Sequence, residues 1–66
     1  MPDKKIIGAR LRELRGERTI LQVASDCGIS DAALGMYEKG QRTPRDNIKI
    51  VLARYYKKSV QSLFFE

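Results

Sequence analysis

The chemistry open to this sequence is set by its charged side chains. It contains no histidine and a single cysteine, Cys27, which removes the usual metal-ligand sets, the Cys–His and Ser–His nucleophile pairs and imidazole acid–base work. One cysteine cannot close a disulfide within the chain, so packing alone must hold the fold, as suits a reducing cytoplasm. Thirteen Lys+Arg against eight Asp+Glu leave a formal charge of +5. Lys39, Gln41, Arg42 and Arg45 crowd into one seven-residue stretch, where the cations can serve an anionic partner. A chain of 66 residues has space for one domain, 1–66, and none for a second core or an enzyme built around a cofactor fold. No enzymatic activity, cofactor, metal or small-molecule ligand is expected. No run reaches the ~18 apolar residues of a membrane span, and the start MPDKKII lacks a signal-peptide hydrophobic region. The expected location is the cytoplasm.

These charges need a frame, and the punctuation of the chain predicts a helical one. Asp3 can cap a first helix in which Ile7, Leu11 and Leu14 form one apolar stripe, with Gly16 stopping it after Arg15. Thr19-Ile20-Leu21-Gln22 reads as a capping box opening a second helix, with Ile20, Val23, Ala24 and Cys27 inward and Gly28 at its end. Ser30 caps a third, with Ala33, Leu34 and Tyr37 inward, closed by Gly40. Thr43-Pro44 opens a fourth, with Pro at the first helical position and Ile48, Val51, Leu52, Tyr55 and Tyr56 inward. Ser59 caps a short fifth turn ending in Leu63-Phe64-Phe65. No stretch alternates with period two long enough to be a strand. The expected fold is all-α, with five short helices.

The informative segment is Ile20 to Lys39. Ala24 is small enough for two helices to approach closely, and Gly28, four residues on, can take the positive φ that turns one helix into the next. Val23, Cys27, Ile29, Leu34 and Tyr37 then fall where the second helix, the turn and the third helix pack together. Small residue, glycine and inner apolar positions at this spacing form the helix-turn-helix signature, although a plain αα-corner also needs the first two.

Nearly the whole chain resembles the Cro/phage-repressor-like (Xre-type) family of helix-turn-helix regulators. The resemblance runs through IGARLRELRGERT, VASDCGIS, AALGMYEKGQRTP and LARYYKKSVQSLFF. Its most specific piece is Tyr37-Glu38-Lys39-Gly40 followed by Arg42-Thr43-Pro44. It implies a compact five-helix, lambda-repressor-like DNA-binding domain, sequence-specific binding of double-stranded DNA, and transcriptional regulation as a repressor of phage or mobile-element type. Dimers on palindromic operators are the common working form.

The same resemblance implies roles for particular residues. An arginine near the end of helix one typically pairs with the glutamate of the Tyr-Glu motif, here Arg15 and Glu38; the planar guanidinium fork can hold a half-buried carboxylate bidentately. Thr19 and Ser30, at the N-termini of helices two and three, are candidate phosphate contacts as well as caps. Lys39, Gln41, Arg42 and Arg45 follow the recognition helix along the DNA backbone, and Arg10 or Arg18 can reach a flanking phosphate. Arg12, Arg54, Lys57 and Lys58 read as a solvated face. Base reading falls to Asp31, Ala32, Ala33, Gly35 and Met36, none of them an arginine, glutamine or asparagine. Asp31 can accept from a cytosine amino group, Ala32, Ala33 and Met36 can touch thymine methyls, and Gly35 contributes no contact. Sequence preference is therefore expected from methyl contacts, DNA shape and half-site spacing.

Self-association is expected through Leu63, Phe64 and Phe65. Adjacent phenylalanines lie about 100° apart on a helix, so at least one should face away from helix four and bury itself against a second copy. Two other functions compete with DNA binding. A protein-interaction module, binding a repressor or toxin partner, is favoured by the weak base-reading face and opposed by the basic cluster. Single-stranded RNA binding needs exposed stacking aromatics, and Tyr55, Tyr56, Phe64 and Phe65 are better explained as core or interface.

Overall fold

Three short polar side chains start the first three helices. In the computed structural model, which describes residues 2–66, Asp3 Oδ1 accepts a hydrogen bond from the Ile6 amide at 2.9 Å. Thr19 Oγ1 accepts from the Gln22 amide at 3.0 Å and Ser30 Oγ from the Ala33 amide at 3.0 Å. The helices they open are α1 (Lys4–Arg15), α2 (Ile20–Cys27) and α3 (Asp31–Glu38). Each bond satisfies one free amide of a helix start, worth about 1 kcal/mol. A fourth helix, α4 (Asp46–Tyr56), is followed by a π-helical turn at Gln61–Phe65. Ser59 precedes that turn, its Oγ accepting from the Ser62 amide at 3.0 Å. The described residues contain no strand, so the architecture is all-α.

The ends of α2 and α4 share one motif. At α2, Gly28 takes the left-handed conformation (φ 72°, ψ 29°). The Ile29 amide donates to the Ala24 carbonyl and the Gly28 amide to that of Ser25, a Schellman closure. Ala24, itself buried, lets the turn fold tightly beneath α3. Lys57 closes α4 in the same way, at φ 58° and ψ 42°, with Lys58 donating to Ala53.

Each element contributes one of the fully buried large side chains: Leu11, Val23, Leu34, Leu52 and Phe64. Ile7, Tyr37, Tyr56 and Leu63 complete the core around them. The crossing of α1 over α3 depends on Gly8. A Cβ there would stand 2.5 Å from the Glu38 carbonyl oxygen and 2.6 Å from that of Tyr37, so any other residue forces the helices apart.

The structure corrects the sequence expectations at three places. Pro44 does not open α4. Its ring is buried, the chain stays non-helical through Arg45 (ψ 164°), and the helix begins at Asp46. Within α4 the inward phase runs through Leu52, Ala53 and Tyr56, which turns Val51 outward, 36% exposed. Leu63 and Phe64, expected at a dimer interface, are core residues at 3% and 1% exposure, and Phe65 is half-buried against the same core. Two contacts fold the turn back. Arg10 Nη1 donates to the Ser62 and Leu63 carbonyls at 3.2 Å each, and the Lys49 ammonium lies 4.7 Å from the Phe65 ring centre and 5.9 Å from that of Phe64.

Candidate nucleic-acid interface

The face of α3 is oriented from behind. Glu38, at the last position of α3, is nearly buried (side chain 4% exposed), and a carboxylate there requires a partner. Arg15 at the end of α1 supplies it. Arg15 Nε donates to Glu38 Oε2 at 2.8 Å and Nη2 to Oε1 at 3.0 Å, a bidentate fork. Arg15 Nη1 also donates to the Arg18 carbonyl at 2.8 Å, which ties the α1–α2 loop to the same fork. The hydrogen bonds to Glu38 raise the Arg15 pKa above its ordinary value, keeping the fork charged. With Gly8 against the α3 carbonyls, the ion pair fixes α3 relative to α1.

Behind the fork lies a tyrosine pair. Tyr55 and Tyr56 meet edge to face, with ring centres 5.1 Å apart. The Arg18 guanidinium lies 5.2 Å and 5.4 Å from the two ring centres. The Tyr55 hydroxyl donates to Asp26 Oδ2 at 2.9 Å, and losing that bond on ionisation raises its pKa. The Tyr56 hydroxyl is buried without a hydrogen-bond partner. Burial, with Glu38 nearby, pushes its pKa up to about 12. Burial also pushes the Cys27 thiol up, with Asp26 adding to it, so this cysteine is held as the unreactive thiol.

The residues expected at DNA fall into distinct positions. Asp31 and Ala32 are exposed at the start of α3, whereas Gly35 and Met36 are half-buried farther along it. Ala33 is half-buried and packs against the core. Thr19 and Ser30 are exposed at the helix starts, their hydroxyl oxygens occupied by the capping bonds. Lys39, Gln41, Arg42 and Arg45 are all exposed between α3 and α4. The ion pairs among the described residues are Arg15–Glu38 and Lys49–Asp46, so Lys39, Arg42 and Arg45 carry unpaired charge.

Arg10 and Arg18 are engaged elsewhere. Arg10 holds the C-terminal turn, and Arg18 donates to the Leu14 and Arg15 carbonyls at 2.9 Å and 3.3 Å while covering the tyrosine pair. The residue that sequence reasoning passed over is Gly8. A lone glycine inside the amphipathic pattern of α1 was the available signal, since mid-helix glycine is unfavourable unless a close approach needs it.

A family model for a helix-turn-helix domain matches residues 6–61. No curated protein and no solved structure matches the chain.

Proposed function

The chain belongs to the helix-turn-helix domain family, a DNA-binding family, and from that premise we propose that it is a transcriptional regulator of the Xre type, one domain over residues 1–66, that acts as a repressor. The reading rests on one observation. The inner side of α3 is closed where Gly8 packs against the Tyr37 and Glu38 carbonyls, while Asp31 and Ala32 at its start and the unpaired Lys39, Arg42 and Arg45 beyond its end are open to solvent. A rigid helix with three free cations trailing it suits a major groove with phosphates alongside. Thr19, Ser30 and Gln41 add polar backbone contacts. Asp31, Ala32 and Met36 face the bases, Gly35 beside them has no side chain to make a base contact, and preference comes from methyl groups and duplex deformability. No catalytic role is assigned to any residue, and the working location is the cytoplasm.

The regulator works as a homodimer, and the surface for it lies on α4. Asn47, Ile50, Val51 and Arg54 recur at i, i+3, i+4 and i+7 and are all exposed. Asp46 lies in the first turn and Arg54 in the last. An antiparallel two-fold pairing of α4 helices buries the aliphatic pair at its centre and brings Asp46 of each copy towards Arg54 of the other. That self-complementarity supports a second copy of this chain as the occupant.

The test is binding of a fluorescent duplex at two salt concentrations. A Lys39→Gln/Arg42→Gln/Arg45→Gln variant should bind all sequences more weakly, each lost phosphate contact lowering the log–log salt slope by about 0.9. Equal binding by parent and variant at low salt refutes the assigned face. The competing reading, a protein-interaction module for a repressor or toxin partner, is favoured by the lack of bidentate base readers on α3. It predicts a parent with no sequence enriched from a random DNA pool.

A further inference from the structure

Arg12 looks from sequence like a solvated charge, but the fold brings it to a shared notch. A depression of about 210 Å³ is lined by Arg12 and Arg15 of α1, Ile20 of α2, and Gly35, Glu38 and Lys39 at the end of α3. Arg15 and Glu38 neutralise each other across their fork. Arg12 and Lys39 have no ion-pair partner among the described residues, so the notch carries two free positive charges. Ile20 is the first residue of α2, so the positive end of that helix dipole lies near the same space.

Gly35 is the informative member. Its φ lies outside the left-handed region, and a Cβ built on it would meet nothing within 4 Å. Neither backbone conformation nor packing asks for glycine, and glycine inside a helix is less stable than alanine. What the missing side chain does is leave the notch open. Gly8 and Gly40 differ in this respect, since a Cβ on either would strike backbone within 3 Å.

We propose that the notch over Gly35 seats one backbone phosphate of the bound duplex, gripped between Arg12 and Lys39. The inference rests on the DNA-binding reading and adds to it a contact residue, Arg12, and a reason for the glycine. A phosphate is compact and anionic, and two cations from different helices can approach it from opposite sides. The neighbouring fork holds the Glu38 carboxylate on Arg15, so it does not compete with the phosphate for Arg12 or Lys39.

The experiment measures two quantities on the full chain: thermal stability, and affinity for a labelled duplex across a salt series. Gly35→Ala should raise Tm by about 4–8 °C, the helix-propensity gain for a chain of this size, yet weaken DNA binding. Gly35→Leu, which fills the notch, should weaken it by about tenfold, the scale of one lost charge-assisted contact. Arg12→Gln should lower the salt slope by about 0.9 and should have no further effect in the Gly35→Leu background. Stabilised Gly35 variants that bind as tightly as the parent with an unchanged slope overturn the proposal, as does an unchanged slope in Arg12→Gln. If Arg42→Gln/Arg45→Gln still weakens binding in that case, the DNA reading survives and only the notch is lost. A parent that binds no DNA overturns both.

Discussion

Removing the Glu38 carboxylate tests the central claim about how α3 is held. Glu38→Ala deletes both acceptors of the Arg15 fork, at 2.8 Å and 3.0 Å. Breaking a buried ion pair by removing one partner costs about 3–5 kcal/mol, because the remaining charge is stranded. Two features reduce that here. The Arg15 side chain keeps 17% exposure, so water can reach it, and its Nη1 bond to the Arg18 carbonyl survives. The expected loss is therefore about 2–3 kcal/mol, against a total stability of roughly 3–10 kcal/mol for a domain of this size. At about 4–8 °C per kcal/mol, Tm should fall by more than 8 °C. Thermal melts followed by circular dichroism, with exposed Glu66→Ala as the control, measure it. Glu38→Gln keeps one acceptor and should fall between the two. If Glu38→Ala melts within 2 °C or so of the control, the fork contributes nothing to stability and the reasoning about α3 fails.

Four further outcomes are expected. Tyr56→Phe removes a buried hydroxyl that has no partner and should raise stability by about 1 kcal/mol. The same group gives a pH signature: with its pKa pushed to about 12 in the fold and near 10 unfolded, the unfolded chain loses the proton first. Parent stability should then fall as pH rises from about 10 towards 12, and the part owed to this group should vanish in Tyr56→Phe. Lys57→Gly should stabilise by about 1 kcal/mol, because Lys57 holds a left-handed conformation (φ 58°) that glycine adopts without cost. For the dimer, the parent should sediment as a dimer at micromolar concentration and Ile50→Ser/Val51→Ser as a monomer with unchanged helicity. A monomeric parent well above that concentration refutes the α4 pairing.

The features legible in the sequence are those fixed by local chemistry. Asp3, Thr19 and Ser30 announce helix starts because their short side chains can reach an amide two or three residues on, whatever the rest of the chain does. Gly28 marks the sharp turn for a similar reason, since few other residues accept its φ. What escaped the sequence depends on how elements meet. The inward phase of α4 runs through Ile48, Leu52, Ala53 and Tyr56, and Val51 beside Leu52 reads as equally apolar in the sequence although it faces outward. Lys57 hides its left-handed cap behind a side chain that normally avoids it.

The C-terminal turn shows how a tertiary contact reverses a functional reading. Phe64 and Phe65 lie about 100° apart on an ordinary helix, so the sequence points one of them outward, towards an interface. A π-helical turn spaces them differently, and Phe64 becomes one of the largest fully buried side chains of the core. Lys49 then lies over both rings and Arg10 holds the carbonyls beneath, so the covering groups come from α4 and α1. Serine substitutions at these phenylalanines would therefore report on folding before they reported on association. The exposed large apolar side chains are instead Ile6, Leu21, Ile50 and Val51, the last two adjacent on the outer side of α4. The basic face behaves in the opposite way. Arg10 and Arg18 are drawn into structural duty, while Arg12, Lys39, Arg42 and Arg45 remain unpaired, so the fold itself sorts one set of similar cations into struts and free charges.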